Sequence, residues 1–410
     1  MALTTVTVGG GASGGHLTSI LSVPFRTHYA PLAQGLLNII TGEELAGNAN
    51  VVYDTGTPPP AIGSSDLLVT QNGASSFTVP TGYDAIFNQS TTPITITGGA
   101  RDLLVVSGAD GGLTFAAGSG NDLVVTGGGN NLLIGGSGND TFITGGNDTV
   151  LAGSGNGLIQ ASGNSLLNLQ NSNATVVMNG ADTVIAGSGS NAIFSLTDNS
   201  PNTVFGGSGN LIFVGGAGAS TVTGTTGAAT LFGGTGGGNL YGGHSGTNIL
   251  VINPNATAST VLIGEGGNTQ EFNFSSVDNV LNAGPGNATL VGGNATGNNL
   301  DILGAGNDIA ALGFGADTLQ AGTGAATVIA GQGNGVFDFI SGQAGGTMLV
   351  GNFNPGHDQI NLHGYAAGEV SKDLANQQIS GGSTLLTLSD GTKITFLNVS
   401  GLNSGNFTTN

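Results

Sequence analysis

Short apolar segments alternate with glycine-rich turns from residue 102 to about residue 351. The apolar segments, such as DLLVV, NLLIG, DTVLA and ATVIA, are only three to five residues long. A stretch of this length can form a strand but is too short to form a stable helix. The pattern therefore predicts an all-β chain built from many short strands.

The turn glycines recur every nine residues in three blocks, from Gly118 to Gly145, from Gly206 to Gly242 and from Gly304 to Gly331. A short strand with one inward side chain cannot bury enough surface alone, so each coil must cover the apolar face of the coil before it. Two nonapeptides per coil predict a parallel β-solenoid, or β-roll, with glycine-rich turns and about 18 residues per coil. The side chains predicted to stack inside it include Val124, Leu133, Phe142 and Val150.

Residues 1–46 form an opening segment that lacks the repeat. Its apolar positions have a partly helical spacing interrupted by Pro24 and Pro31, which predicts one short helix after Pro31. Two interpretations are open: a cap packed on the solenoid, or an arm that docks on a neighbouring molecule. The residues that would make the docking contact are Leu17, Ile20, Leu21 and Phe25.

The remaining regions also read as β structure. Residues 47–101 contain short strands rich in β-branched residues, such as ITIT, separated by turns. In the C-terminal part, LLTLSDGTKITF predicts a hairpin that turns at Asp390 and Gly391. We therefore expect four regions: an N-terminal arm or cap (1–46), a short-strand β region (47–101), the solenoid (102–351) and a C-terminal β cap (352–410).

The charge balance excludes several classes of partner. Four Lys and Arg stand against 23 Asp and Glu, a formal net charge of −19, so the phosphate backbone of a nucleic acid would be repelled. No Lys or Arg occurs from residue 102 to 371, which leaves the repeat without a basic face for anionic lipid. No apolar run reaches the roughly 18 residues of a transmembrane segment. The absence of cysteine excludes disulfides and thiolate metal sites.

The segment GGSGNDTFI, residues 135–143, resembles the nonapeptide GGxGxDxUx of RTX proteins, the hemolysin-type calcium-binding repeats, which form parallel β-rolls. In that family the first six residues form a turn that holds Ca²⁺, and position U carries an inward apolar residue. The preceding AGSGNDLVV follows the same pattern, which places Asp122 and Asp140 one predicted coil apart. The resemblance implies a calcium site at these two carboxylates, with backbone oxygens from the turns. Its turn residues would be Gly118, Gly120, Gly136 and Gly138.

Most other repeats lack the acidic residue. The residues at its position elsewhere include Asn131, Gly157, Ala326 and Gly335. Asp148, Asp308 and Asp317 are weaker candidates, and the residues 18 positions from Asp308 and Asp317 are not aspartate. Asn and Gly suit tight turns, and stacked Asn side chains can form hydrogen-bonded ladders. We therefore expect calcium at few sites, and a glycine pattern that is kept for its shape.

The C-terminal part, beginning GNFNPGHDQINLHG, resembles the ending of bacterial proteins exported by type I secretion. In such proteins an uncleaved C-terminal signal replaces an N-terminal one, and MALTTVTVGGGASGG shows no N-terminal secretion signal. The resemblance implies a protein that is secreted to the extracellular space or the cell surface.

Candidate catalytic groups are few. His357, His363 and Asp358 could hold a metal, but two loop histidines near a cap are the simpler interpretation. A serine triad is not indicated, because no GxSxG motif accompanies the five histidines. A lyase or epimerase acting on uronates from a β-helix would normally need Arg or Lys, which the repeat lacks, whereas a glycosidase would need only two carboxylates in a cleft. The acidic residues available for it are Asp301, Asp308, Asp317 and Asp338. We expect no enzymatic activity.

The ends of a stacked solenoid present unpaired backbone groups, and head-to-tail contact between unlike ends produces an open filament. The sequence therefore predicts a secreted bacterial structural protein that polymerises with itself into extracellular or cell-surface fibres, as biofilm matrix, sheath or surface layer. The alternative is a monomeric calcium-dependent adhesin or carrier domain. Extracellular polysaccharide or a cell surface would be the further partner.

Overall fold

The computed structural model describes residues 3–13, 15–26, 28–54, 56–108, 111–195, 199–293 and 296–409. The chain divides into two compact units, Met1–Gly209 and Asn210–Asn410. Both units consist mainly of short strands, and the described residues contain two α-helices.

The elements of the first unit are β1 (Leu3–Gly9), β2 (Ala12–Ser13), β3 (His16–Leu17), β4 (Ile20–Arg26), α1 (Ala30–Ala46), β5 (Val51–Asp54), β6 (Asp66–Thr70), β7 (Ser76–Thr78), β8 (Tyr83–Asn88), β9 (Ile94–Thr97), β10 (Leu104–Ser107), β11 (Leu113–Ala116), β12 (Leu123–Thr126), β13 (Leu132–Ile134), β14 (Thr141–Thr144), β15 (Thr149–Leu151), β16 (Asn156–Ser162), β17 (Leu166–Asn168), β18 (Asn173–Asn179), β19 (Thr183–Ile185), β20 (Asn191–Phe194) and β21 (Asn202–Phe205).

The elements of the second unit are β22 (Leu211–Val214), β23 (Ser220–Thr223), β24 (Ala229–Phe232), β25 (Gly238–Tyr241), β26 (Thr247–Ile252), β27 (Thr260–Ile263), β28 (Asn268–Asn273), β29 (Val280–Asn282), β30 (Ala288–Val291), β31 (Leu300–Ile302), β32 (Asn307–Ala311), β33 (Thr318–Gln320), β34 (Ala325–Ile329), β35 (Val336–Ile340), β36 (Thr347–Gly351), β37 (Gln359–His363), α2 (Glu369–Asn376), β38 (Gln378–Ser380), β39 (Ser383–Thr387), β40 (Lys393–Phe396), a 3-10 turn (Ser404–Asn406) and β41 (Phe407–Thr409).

Two parallel ladders form the solenoid of the first unit. Ladder 1A contains β5 and the even-numbered strands from β6 to β20, and ladder 1B contains the odd-numbered strands from β7 to β21. Each coil adds one strand to each ladder. The predicted fold class is confirmed, and the coil length varies around the expected 18 residues: Val105 pairs with Val124, whereas Phe142 pairs with Ile159.

Alternate side chains of each strand point into the solenoid, because successive residues of a strand face opposite sides of its sheet. Val124, Leu133, Phe142 and Val150 are all fully buried, as the repeat predicted. Apolar side chains of the two ladders therefore stack in the interior of the first unit, beside a buried polar column that includes Thr70, Asn88, Ser107 and Thr126.

The parallel ladder begins before the nonapeptide repeat. Val51 pairs with Leu67 and Leu67 with Ala85, so residues 51–97 form the first coils of the same solenoid although they lack the glycine pattern. Their inward side chains Leu68 and Ile86 are fully buried and continue the stack. The change in sequence near residue 101 is thus a change of turn chemistry within one continuous ladder.

The N-terminal segment covers the outer face of ladder 1A. Strands β1 and β4 form an antiparallel hairpin, and the helix expected after Pro31 is present as α1, which begins at Ala30. The hairpin residues Val6, Val8, Val23 and Phe25 belong to one apolar cluster with outward side chains of the ladder. These ladder residues are Leu67, Val69, Ala85, Phe87, Val106, Val125 and Ile143. The segment is therefore packed against its own chain, along the side of these coils.

The second unit contains two further parallel ladders. Ladder 2A contains the even-numbered strands from β22 to β36 and then β40, and ladder 2B contains the odd-numbered strands from β23 to β37 and then β41. The coils are longer here where the turns carry insertions, and Phe337 pairs with Ile360, 23 residues later.

The C-terminal residues close the second unit with an antiparallel extension. Strand β40 joins β36 in parallel, and β39 and then β38 are added antiparallel to it. The hairpin expected at Asp390 and Gly391 is confirmed, since Thr387 pairs with Lys393 and Gly391 has a φ of +94°.

Candidate calcium site and the side-chain ladders of the turns

The turn glycines stack directly on one another in successive coils. A Cβ atom on Gly136 would overlap the carbonyl oxygen of Gly118, and one on Gly138 would overlap that of Gly120. The Ser137 N–H donates to the same Gly118 oxygen at 3.0 Å. Any larger residue would push the coils apart, so close stacking alone requires glycine at these positions.

The sixth residue of the nonapeptide caps a backbone group of the preceding coil. The N–H of Leu103 donates to Oδ1 of Asp122 at 2.9 Å, and the N–H of Asp122 donates to Oδ1 of Asp140 at 3.0 Å. Each carboxylate thereby satisfies a buried N–H that has no partner within its own strand. This position serves the backbone whether or not an ion is bound.

In the turns that precede the strands of ladder 1B, uncharged side chains accept the same kind of backbone N–H, so this capping role does not need a charge. The N–H of Leu113 donates to the Asn131 side chain at 2.9 Å, and the N–H of Asn131 donates to Asp148 at 2.8 Å. The ladder continues from Asp148 to the Ser165 hydroxyl at 3.4 Å. Amide, carboxylate and hydroxyl oxygens therefore replace one another, which explains how the repeat can lose its acid and keep its fold.

The second unit repeats the arrangement with mainly amide side chains. The N–H of Thr260 donates to Asn279 at 2.8 Å, the N–H of Asn279 to Asn299 at 3.2 Å, and the N–H of Asn299 to Asp317 at 2.8 Å. Three successive coils thus fill the same acceptor position, two of them with an amide and one with a carboxylate.

An exposed ladder runs in the opposite sense one residue earlier in the turn. The N–H of Asn139 donates to the Asn121 side chain at 2.8 Å, and the N–H of Asn156 donates to Asn139 at 3.0 Å. Each asparagine here accepts from the following coil, whereas the buried position accepts from the preceding one. The stacking of Asn expected from the sequence takes this form of side chain to backbone bonds.

Asp122 and Asp140 are the pair that best fits a cation. They directly precede the paired strands β12 and β14. Oδ2 of Asp122 is buried without a hydrogen-bond partner, whereas the two oxygens of Asp140 accept the N–H groups of Asp122 and Gly136. Burial raises the pKa of Asp122 to about 7, the bond from Leu103 N–H opposes this rise, and repulsion from Asp140 adds to it. A divalent cation would remove the repulsion and supply a partner for the unpaired oxygen, with the remaining oxygens from the carbonyl-rich turns.

A comparison with protein families supports calcium as that ion. The model of the RTX calcium-binding nonapeptide repeat, which describes four copies of the motif, matches residues 116–146, 125–159 and 302–337. These segments are RTX repeats. No curated protein matches the chain. RTX repeats are typical of secreted structural and adhesin-like proteins, and calcium is the cofactor that the match supports.

The other acidic positions of the RTX repeats are already satisfied by N–H donors. Asp308 accepts from Ala288 and Gly304 at 2.9 and 2.8 Å, and Asp317 accepts from Asn299 and Gly313, both at 2.8 Å. Asp148 accepts from Asn131 and Gly146. Asp308 also lies beside Ala326 in the ladder. Because no second carboxylate occupies the equivalent position of an adjacent coil, these positions act as backbone caps.

The candidate catalytic residues are dispersed. His357 bonds to Asp358 at 2.8 Å, and Asp358 is buried and accepts the N–H of Gly335. His363 lies next to Asn361, which also bonds to Asp338. Within the described ranges, no three His, Asp or Glu side chains meet in a metal-binding group. RTX repeats are in general not themselves catalytic.

Of the predicted joining residues, the structure leaves mainly Ile20 accessible. Ile20 is 67% exposed and Leu17 is half-buried. Leu21 packs at the margin of the N-terminal cluster, and Phe25 is fully buried against Gly127. Phe25 therefore holds the segment on its own solenoid and has no surface to offer another molecule.

Two acids are buried inside the second unit: Asp301, which was expected only as a candidate carboxylate of a cleft, and Glu271, which was not among the predicted residues. Glu271 and Asp301 occupy inward positions of ladders 2A and 2B and are at most 2% exposed. Burial raises the pKa of both, that of Asp301 to about 8. Each lies four residues after a turn glycine, as Val124 and Phe142 do, so counting from the glycine would have identified them as inward.

None of the helices in the described part of the chain is long and apolar enough to cross a bilayer.

Proposed function

We propose that this protein is a secreted structural component that assembles head to tail into extracellular fibres. The observation that carries the proposal is that its sheets begin and end on short open edges. Strand β5 pairs with β6 on one side, and strand β38 pairs with β39 on one side. Within the described residues, neither strand has a second partner.

The two edges have compatible directions. Strand β38 is antiparallel to β39, which is antiparallel to β40, so β38 runs parallel to the strands of ladder 2A. If β38 of one copy paired in parallel with β5 of the next, the sheet edges of the two copies would be joined. Because the two surfaces differ, such a contact leaves a free edge at each end and grows as a filament.

Export by a type I system is part of the proposal. Residues 352–410 would act as the uncleaved signal, as their resemblance to such endings implies. Extracellular calcium could then occupy the Asp122 and Asp140 pair after export. The test is to fuse residues 352–410 to a passenger protein in a cell with a type I exporter; a passenger that stays inside would contradict this route.

Electron microscopy of the purified chain tests the fibre proposal. We expect filaments whose length increases with protein concentration. Ile379, in the middle of β38, is 54% exposed, so Ile379→Lys should place a charge on the open edge and leave single particles. Leu166→Lys is the matched control, because Leu166 is 41% exposed on the outer face of ladder 1B.

Equal loss of filaments in both variants, or single particles of the unchanged protein at every concentration, would contradict end-to-end assembly. A monomer that unfolds on addition of EGTA would favour the calcium-dependent adhesin instead, because metal binding is then coupled to folding.

A further inference from the structure

The outer face of ladder 2A carries an apolar column that runs across its strands. Its members are at least partly exposed, and Phe232 and Ile329 are 40% and 46% exposed. Phe272 also stacks with Phe274 at 6.1 Å between ring centres. The main residues of this column, in ladder order, are Val214, Phe232, Val251, Phe272, Val291 and Ile329.

The adjacent outward column is also uncharged. It contains Ile212, Ile249, Ile309 and Leu349, with threonines and one glutamine between them. The whole chain carries a formal charge of −19, so two copies repel each other across most of their surfaces. This face is free of that repulsion, which favours contact with another copy of itself.

The first unit shows what kind of surface covers such columns. The outward residues of ladder 1A lie under the β1–β4 hairpin and α1, where Phe87 and Val125 are fully buried. An apolar β layer therefore fits on the outer face of a ladder in this protein. The N-terminal segment packs on ladder 1A, whereas the outward columns of ladder 2A are at least partly exposed.

We propose that the outer face of ladder 2A docks against the same face of a second copy of this chain. The two faces present the same strand spacing and the same apolar columns, so they can pack sheet on sheet about 10 Å apart. A contact between identical patches closes as a two-fold dimer. This lateral contact does not depend on the end-to-end contact proposed above.

The size of the face indicates a weak pairwise contact. Eight strands spaced about 4.8 Å apart and about 12 Å long present about 450 Å² per copy. The pair would bury about 900 Å² in total, about three quarters of the roughly 1,200 Å² at which standard stable interfaces begin. Along a filament the same contact would repeat, and many weak contacts would bundle fibres side by side.

The test uses the full chain with Ile379→Lys, so that end-to-end growth does not contribute. Sedimentation equilibrium over a concentration series should show a monomer–dimer equilibrium. Val251→Asp should raise the dimer dissociation constant by at least about tenfold, because it places two charges in an apolar contact. Val261→Asp is the control: Val261 is an equally half-buried valine on the outer face of ladder 2B, and it should leave the constant unchanged.

A second measurement uses the absence of cysteine. In the same background, Val251→Cys should form disulfide-linked dimers under mild oxidation, or dimers joined by a short bis-maleimide, and Val261→Cys should not. A parent protein that stays monomeric, or equal effects at the two valines, would overturn the proposal. Maleimide links from position 251 to residues 3–46 of another copy would also overturn it, because the N-terminal segment would then be the occupant.

Discussion

The outer faces of ladders 1A and 2A have similar apolar columns but different surroundings. In ladder 1A, Phe87 and Val125 are buried under the N-terminal hairpin and helix. In ladder 2A, Phe232 and Val251 remain at least partly exposed. The nonapeptide pattern therefore decides what lies inside a solenoid, whereas a flanking segment decides which of its outer faces is closed.

The interiors of the two units differ as well. The inward columns of the first unit around Val124 and Phe142 are apolar, whereas Glu271 and Asp301 interrupt those of the second. Oδ1 of Asp301 is buried without a hydrogen-bond partner. An unpaired acid in an apolar interior is costly unless it is protonated. Both acids therefore make the stability of the second unit depend on pH, and Asp301, with a pKa of about 8, extends this dependence to a higher pH than Asp122, with a pKa of about 7, does in the first unit.

The largest effect is expected from removing residues 3–46 in the Ile379→Lys background. The deletion would expose the apolar columns of ladder 1A and make the first unit resemble the bare face of the second. We expect strong self-association and increased binding of an environment-sensitive apolar dye, measured by light scattering and fluorescence. A shortened chain that stays dispersed would show that the segment is a joining arm and not a cover.

A charge placed on the outer face of ladder 1A should destabilise the fold much more than one placed on the outer face of ladder 2A. Val125→Asp should lower the free energy of unfolding by about 3 kcal/mol or more, because the carboxylate would be buried without a partner. Val251→Asp should change it by no more than about 0.5 kcal/mol, because solvent reaches that position. Urea unfolding of the two variants measures the difference. Similar losses would mean that the two faces are equally covered in solution.

The pH dependence of the second unit should extend to a higher pH than that of the first unit, where burial raises the pKa of Asp122 to about 7. The folded second unit holds a proton on Asp301 up to about pH 8, whereas the unfolded chain releases that proton near pH 4. Folding therefore takes up a proton between these values, and stability falls as pH rises by about 1.4 kcal/mol per pH unit for each proton. Above about pH 8 Asp301 is ionised in both the folded and the unfolded state, so it no longer contributes to the change of stability with pH.

Hydrogen exchange of residues 250–320 across this pH range provides the measurement. Asp301→Asn should reduce the slope, and adding Glu271→Gln should remove most of what remains. An unchanged slope in the double variant would assign the pH dependence to other groups.

The smallest effect is expected from calcium. A site filled at ten times its dissociation constant adds about 1.4 kcal/mol to the stability of the folded state. Asp122→Asn should abolish the difference in melting temperature between calcium and EGTA, while its amide oxygen still accepts the N–H of Leu103. Asp148→Asn is the control and should leave the calcium effect intact. A calcium effect that survives Asp122→Asn would place the ion elsewhere.

The nine-residue glycine spacing was sufficient to predict the strands, the two inward residues per coil and the pairing of Asp122 with Asp140 one coil later. Those features depend on local period, which a sequence displays directly. The start of the ladder at Val51 could not be predicted in this way, because residues 51–97 form coils with other turn chemistry. The roles of Asn131 and Ser165 as acceptors also depend on which N–H lies opposite them in the neighbouring coil.

The repeat, the glycines without which adjacent turns would collide, and the stacked apolar residues of the interior can all be read from the chain. These follow from the period and from the size of the side chains. Tertiary packing, in contrast, buries Phe25 on its own solenoid, closes one outer face and leaves another open. Those outcomes depend on where a non-repetitive segment packs, and its apolar pattern is equally compatible with its own chain and with a neighbouring molecule.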